Sequence, residues 1–211
     1  FLRVTYSELV TVVLVSLLTT VTAVSVVGLG GGIIAAVTTL RRVVDARRNG
    51  VRLTERERFQ LYKTTFTETA VRGAPLGLVI WVAVASFTWY VLAAGESGSP
   101  WVLLAAAAGV YVLTAVVIVT LRTATLVSLD SSVSLLTAGR DSIYHLFTTP
   151  SFTVLHATTV VAVSALCLAL VIAVPILLFG LLALLEVLVY TELNGGGARS
   201  VVLAYQRGDV A

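Results

Sequence analysis

The sequence predicts an all-α protein: a polytopic transmembrane helical bundle of about six helices, with amphipathic helices on its cytoplasmic side. Three observations predict it. Hydrophobic residues make up 58% of the 211-residue chain and charged residues 12%, with a mean hydropathy of +1.00, whereas soluble domains are about one-quarter charged. Five apolar stretches, at 9–40, 74–94, 101–121, 152–174 and 176–193, approach or exceed the roughly 20 residues that a helix needs to cross about 30 Å of hydrocarbon. Finally, most of the basic residues fall in one inter-helix segment, from Arg41 to Arg72. A chain of this size makes one transmembrane domain, expected over 1–194, followed by a cytoplasmic tail over 195–211.

The first stretch is too long for one crossing, at about 48 Å if helical throughout. It contains Val26-Val27-Gly28-Leu29-Gly30-Gly31-Gly32-Ile33-Ile34-Ala35-Ala36, and glycine is the residue least committed to helix. Gly28, Gly30, Gly31 and Gly32 are therefore expected to form a break between a first helix near 7–27 and a second near 31–48. A phosphate-binding loop does not fit: a dinucleotide fingerprint from Gly28 would need glycine where Ile33 stands, and no Lys-Ser or Lys-Thr follows. Two readings stay open, a half-helix N-terminus offering N–H groups to a polar substrate, and a turn or close-packing site. The second piece is short, because Leu40 is followed at once by Arg41-Arg42.

The next elements carry ordinary punctuation. Thr54-Glu55-Arg56-Glu57 matches a capping box, and Phe59, Tyr62 and Phe66 follow at helical spacing; an amphipathic helix is expected there, on the membrane surface or leading into the third crossing. Residues 95–100 form a turn with Ser99 as a possible N-cap and Pro100 at a first helical position. A second amphipathic piece is expected between Asp130 and His145, and Pro175 divides the last apolar run into two helices.

Charge orients the bundle. Arg41, Arg42, Arg47, Arg48, Arg52, Arg56, Arg58, Lys63 and Arg72 place nine of the fourteen basic residues in one segment, which the positive-inside rule puts in the cytoplasm. The 95–100 and Pro175 turns are then outside, and both termini cytoplasmic, in a multi-pass protein of the cell membrane. The net charge of +3 is a topological signal and not a nucleic-acid footprint. The arginines at 41, 42, 47, 48, 52, 56 and 58 form a candidate docking surface for a partner or anionic lipid.

Glu186 is the only acidic residue well inside an apolar stretch. A carboxylate there needs a partner. It lies about 10 Å above the cytoplasmic end of the last helix, and His156 about 8 Å into the preceding antiparallel one, so the two can meet. Arg72 and Arg122, at the cytoplasmic ends of the third and fourth crossings, are candidates for the same polar cluster. Such a cluster serves either as a clamp between helices, the simpler reading, or as a polar, proton-linked pocket. Catalytic and metal-binding motifs are not found: two histidines are too few and badly spaced for a zinc motif, and the single Cys167 allows no disulfide framework. No cofactor and no enzymatic activity are expected.

The order of these features resembles the YesL-type family of small polytopic membrane proteins. The likeness lies in the glycine-containing 25–36 segment ahead of an arginine-bearing helix, in Phe59-Gln60-Leu61-Tyr62-Lys63-Thr64-Thr65-Phe66, and in Pro175-Ile176-Leu177-Leu178-Phe179-Gly180 opening the last crossing. Because such proteins are often encoded beside carbohydrate-uptake systems, the resemblance implies a transport-associated role with transport subunits as partners. The expected function is an accessory or component of a small-molecule transport system; the alternative is a stand-alone carrier with a polar site between helices.

Overall fold

The computed structural model describes residues 2–130, 132–148, 150–193 and 195. Among them every regular element is helical: α1 (Leu2–Ser7), α2 (Leu9–Thr22), α3 (Val26–Arg48), α4 (Glu55–Ser97), α5 (Pro100–Leu129), α6 (Leu135–Thr148), α7 (Pro150–Ala169), a π-turn (Val174–Leu178) and α8 (Phe179–Leu193). Among the described residues five segments are long and apolar enough to cross a membrane: α3, α4, α5, α7 and the π-turn with α8. Of the tail expected over 195–211, residues 196–211, with Arg199 and Arg207, lie outside the described residues.

The first apolar stretch does break, but not at its glycines. Helix α2 ends at Thr22, and Ser25 caps α3, its Oγ accepting the Gly28 N–H at 2.9 Å. A serine cap satisfies one of the orphan donors of the first turn, so the chain reverses at 23–25. Gly28, Gly30, Gly31 and Gly32 lie inside α3 and are buried.

Their role is close approach. A Cβ at Gly30 would overlap the Gly73 carbonyl oxygen, one at Gly31 would come within 2.5 Å of Ala70 Cα, and one at Gly77 would overlap the Val26 carbonyl oxygen. Gly28 and Gly32 instead face α2, at the Thr22 backbone and side chain. Small residues four apart let helix backbones touch where larger side chains would hold them apart. Because the two pairs point at different neighbours, α3 is clasped between α2 and α4, and every residue from 28 to 40 is buried. A helix apolar or small on all faces belongs at the centre of a bundle.

Helix α4 starts where the sequence places it. Thr54 Oγ1 accepts the Glu57 N–H at 3.3 Å, and the Glu57 carboxylate accepts the Thr54 N–H at 2.7 Å. The helix then runs through Pro75 without ending until Ser97, so the aromatic segment leads directly into the third crossing. Gly98, at φ +59°, turns the chain into α5, where Pro100 occupies the first turn. Ser99 sits at the cap position with no capping hydrogen bond from its side chain.

After α5, Asp130 accepts the Ser132 hydroxyl at 2.6 Å and the Ser132 N–H at 2.8 Å, which tightens the link to α6. Helix α6 turns Ala138 and Ser142 inward, and Ser142 meets Thr123 of α5 at 3.1 Å. Its other face exposes Leu136, Ile143 and Phe147. Helix α7 stops at Ala169, so the bend before α8 comes ahead of Pro175, at 170–172.

Candidate functional site

Arg122, His156 and Glu186 converge from α5, α7 and α8. Glu186 is fully buried, His156 is 3% exposed and Arg122 is 7% exposed. The guanidinium of Arg122 donates from Nε to Glu186 Oε1, and its Cζ lies 5.5 Å from the centre of the Tyr190 ring, one helical turn beyond Glu186. His156 Nε2 is 3.5 Å from Glu186 Oε2, within ion-pair reach but without the alignment of a hydrogen bond. One carboxylate oxygen is thus satisfied by arginine, and the other faces an imidazole nitrogen across a small gap. Beside them a cleft of about 10 Å³, lined among others by Arg122, Ser142, His145 and His156, has room for about one water.

Arg72 does not join this cluster. Its guanidinium donates to the Val133 carbonyl in the α5–α6 link, near Asp130. That carbonyl belongs to the link between the two helices and lies outside any helix. Of the four residues predicted, the structure brings together three.

A second buried ion pair was not foreseen. Glu8, at the junction of α1 and α2, is 2% exposed. Its Oε2 lies 3.1 Å from Arg58 Nη1 and accepts the Thr11 hydroxyl at 2.9 Å. Arg58 also donates to Thr11 Oγ1 and, at 3.1 Å, to the Leu53 carbonyl. Arg58 is therefore removed from the predicted docking surface: it fastens the start of α4 to α2. Arg41 is half-buried and bonds Ser128 of α5 at 3.3 Å, while Arg42, Arg48, Arg52 and Arg56 are exposed. Nothing in the local sequence links Glu8 to Arg58; the only signal is a carboxylate immediately ahead of an uncharged run.

Polar side chains also stitch the apolar helices. Tyr62 meets Thr19 at 3.0 Å, Ser16 Oγ accepts the Gly180 N–H at 2.7 Å, and Thr20 donates to the Pro175 carbonyl at 3.1 Å. The latter two take up backbone groups at and just after the π-turn. Between α2, α3, α4, α5, α7 and α8 lies a cavity of about 420 Å³, lined almost wholly by apolar side chains such as Leu29, Ile80, Leu113 and Phe179. Among the described residues no group of His, Cys, Asp and Glu is arranged to hold a metal ion.

The site chemistry is that of an arginine–carboxylate clamp with an adjoining imidazole, set in an apolar helical bundle long enough to cross a membrane. Compared with family models, curated proteins and solved structures, the chain matches none.

Proposed function

We propose that the protein is a non-enzymatic multi-pass component of the cell membrane that assists a small-molecule transport system, such as one for carbohydrates, by docking transport subunits on its cytoplasmic face. The observation that carries this reading is the exposure of Arg42, Arg48, Arg52 and Arg56 along the end of α3 and the start of α4. Positive charge at that end suits both a cytoplasmic orientation of the termini and an acidic partner surface. The YesL-type resemblance, which rests on the order of features along the chain, supports the transport association. The Glu186 cluster serves in this reading as the clamp that holds α5, α7 and α8.

The test is co-purification from native membranes with the subunits of a transport system, and its loss in Arg42→Glu/Arg56→Glu. Solute uptake by the purified protein alone in proteoliposomes overturns the accessory role. One observation favours the carrier instead: His156 Nε2 and Glu186 Oε2 face each other without hydrogen-bond partners, beside a water-sized cleft. That site has the dimensions of a proton relay and not of a sugar.

A further inference from the structure

Helices α4 and α5 extend well beyond the rest of the bundle. Of the residues lining the apolar cavity, Ala23 at the α2–α3 turn, Leu168 near the end of α7, Leu178 ahead of α8, Val84 of α4 and Leu113 of α5 lie furthest toward one end of their segments, which sets that end of the cavity at roughly one level. From that level α4 continues about 13 residues to Ser97, and α5 begins about 13 residues away at Pro100, so the pair projects about 20 Å further. Along this arm, over residues 85–112, only Ala94 is buried. Trp89, Leu92, Leu103, Leu104 and Tyr111 are exposed by between 54% and 78%, and apolar surface on all sides of a helix pair belongs in hydrocarbon.

The apolar part of α5, residues 101–121, is about 32 Å long and by itself matches the hydrocarbon thickness. The shorter hairpins, α2–α3 and α7–α8, then end roughly 12–18 Å below its outer boundary. Their tips agree with that depth. Val21 and Val24 at one tip and Leu170, Val171 and Ile172 at the other are exposed by 60% or more, and no charged residue occurs between Glu8 and Arg41 or between His156 and Glu186. The α4–α5 tip instead reads Gly95-Glu96-Ser97-Gly98-Ser99-Pro100, the composition of a turn in water.

We infer that α2–α3 and α7–α8 are re-entrant hairpins, which enter from the side of the basic segment and turn within the hydrocarbon layer, and that α4 and α5 alone cross it. This replaces six crossings by two and does not rest on the transport role. A turn within the hydrocarbon layer is favoured where backbone groups find partners inside the protein, and several here do: the Ser25 N–H donates to the Thr22 carbonyl, the Ala173 and Val174 N–H groups to the Leu170 and Val171 carbonyls, the Gly28 N–H to Ser25 Oγ and the Gly180 N–H to Ser16 Oγ.

Single cysteines at Val24, Ile172 and Ser97, in a full-length Cys167→Ala background reconstituted in lipid vesicles, test the depth. The expected result is that Ser97→Cys reacts with an impermeant maleimide, while Val24→Cys and Ile172→Cys react at least about a hundredfold more slowly from either side. Spin labels at Val24 and Ile172 should be relaxed strongly by oxygen and weakly by a nickel chelate, the signature of hydrocarbon. Maleimide or nickel access at either tip comparable to that at Ser97 overturns the inference. So does weak relaxation by both agents, which would mean that protein covers the tips and not lipid.

Discussion

The buried carboxylates Glu8 and Glu186 are each held by an arginine, and removal of one partner at a time should be costly. Glu186→Gln leaves the Arg122 guanidinium, 7% exposed, without its counter-charge; breaking a buried pair in this way typically costs about 3–5 kcal/mol. The double variant Arg122→Met/Glu186→Leu removes both charges and should recover most of that loss. Denaturation of the purified protein in detergent measures both, and a double variant as unstable as the single would sink the clamp reading. Outside the membrane-spanning segments, the Ser132 hydroxyl and then its backbone N–H hold the Asp130 carboxyl below the usual range. A carboxyl with a lowered folded pKa stabilises the fold above its unfolded value of about 3.9, and that contribution is lost as pH falls through the folded value. The α5–α6 link should thus loosen only in acid, below about pH 4, seen as a loss of protection at the Ser132 amide relative to an unstructured amide at the same pH. Unchanged protection in acid would contradict it.

Among the elements, the α3–α4 crossing has the least tolerance. A Cβ at Gly73 would stand 2.5 Å from the Gly31 nitrogen, and backbone atoms on both sides leave nothing flexible to yield. Gly73→Ala should therefore destabilise by about 3 kcal/mol, at the upper end of overpacking costs. At Gly95, also helical, no atom lies within 4 Å of the added Cβ, so Gly95→Ala should be neutral or stabilise by about 0.5–1 kcal/mol. Thermal unfolding of the two variants separates steric crowding from helix propensity. The sequence made the glycine cluster conspicuous but not its meaning. Glycine as a helix breaker and glycine as a packing surface look alike until the partner helix is known, and that partner, with Gly73 and Gly77, lies about 45 residues away along the chain. The Ser25 cap was readable in principle, as a serine ahead of an apolar run. The capping box at Thr54 and Glu57 was legible because all its parts are local.

At the scale of the molecule, composition and run lengths made the helical class legible, together with the presence of segments long and apolar enough to cross a membrane, since both follow from single-residue hydropathy. Glu186 with His156 and Arg122 was also legible: charges in an apolar run are few, and helix rise alone puts them at one depth. The Glu8–Arg58 pair and the uneven helix ends were not, because they depend on how far each hairpin reaches when packed. The stability of the whole resides in the layer around α3, where Ile33, Ile34, Val37 and Leu40 are 4% exposed or less. The α4–α5 arm contributes little to that layer. Excising residues 85–112 and joining Val84 to Leu113 through a short Gly-Asn turn should leave a protein that refolds in detergent and unfolds cooperatively. Its midpoint should drop by no more than about 5 °C, the equivalent of one or two kcal/mol for a chain of this size. Ile33→Asp, which buries an unpaired carboxylate in the centre, should abolish the cooperative transition under the same conditions. If the excised protein loses its transition while Ile33→Asp keeps it, stability resides in the arm and the central role of α3 is wrong.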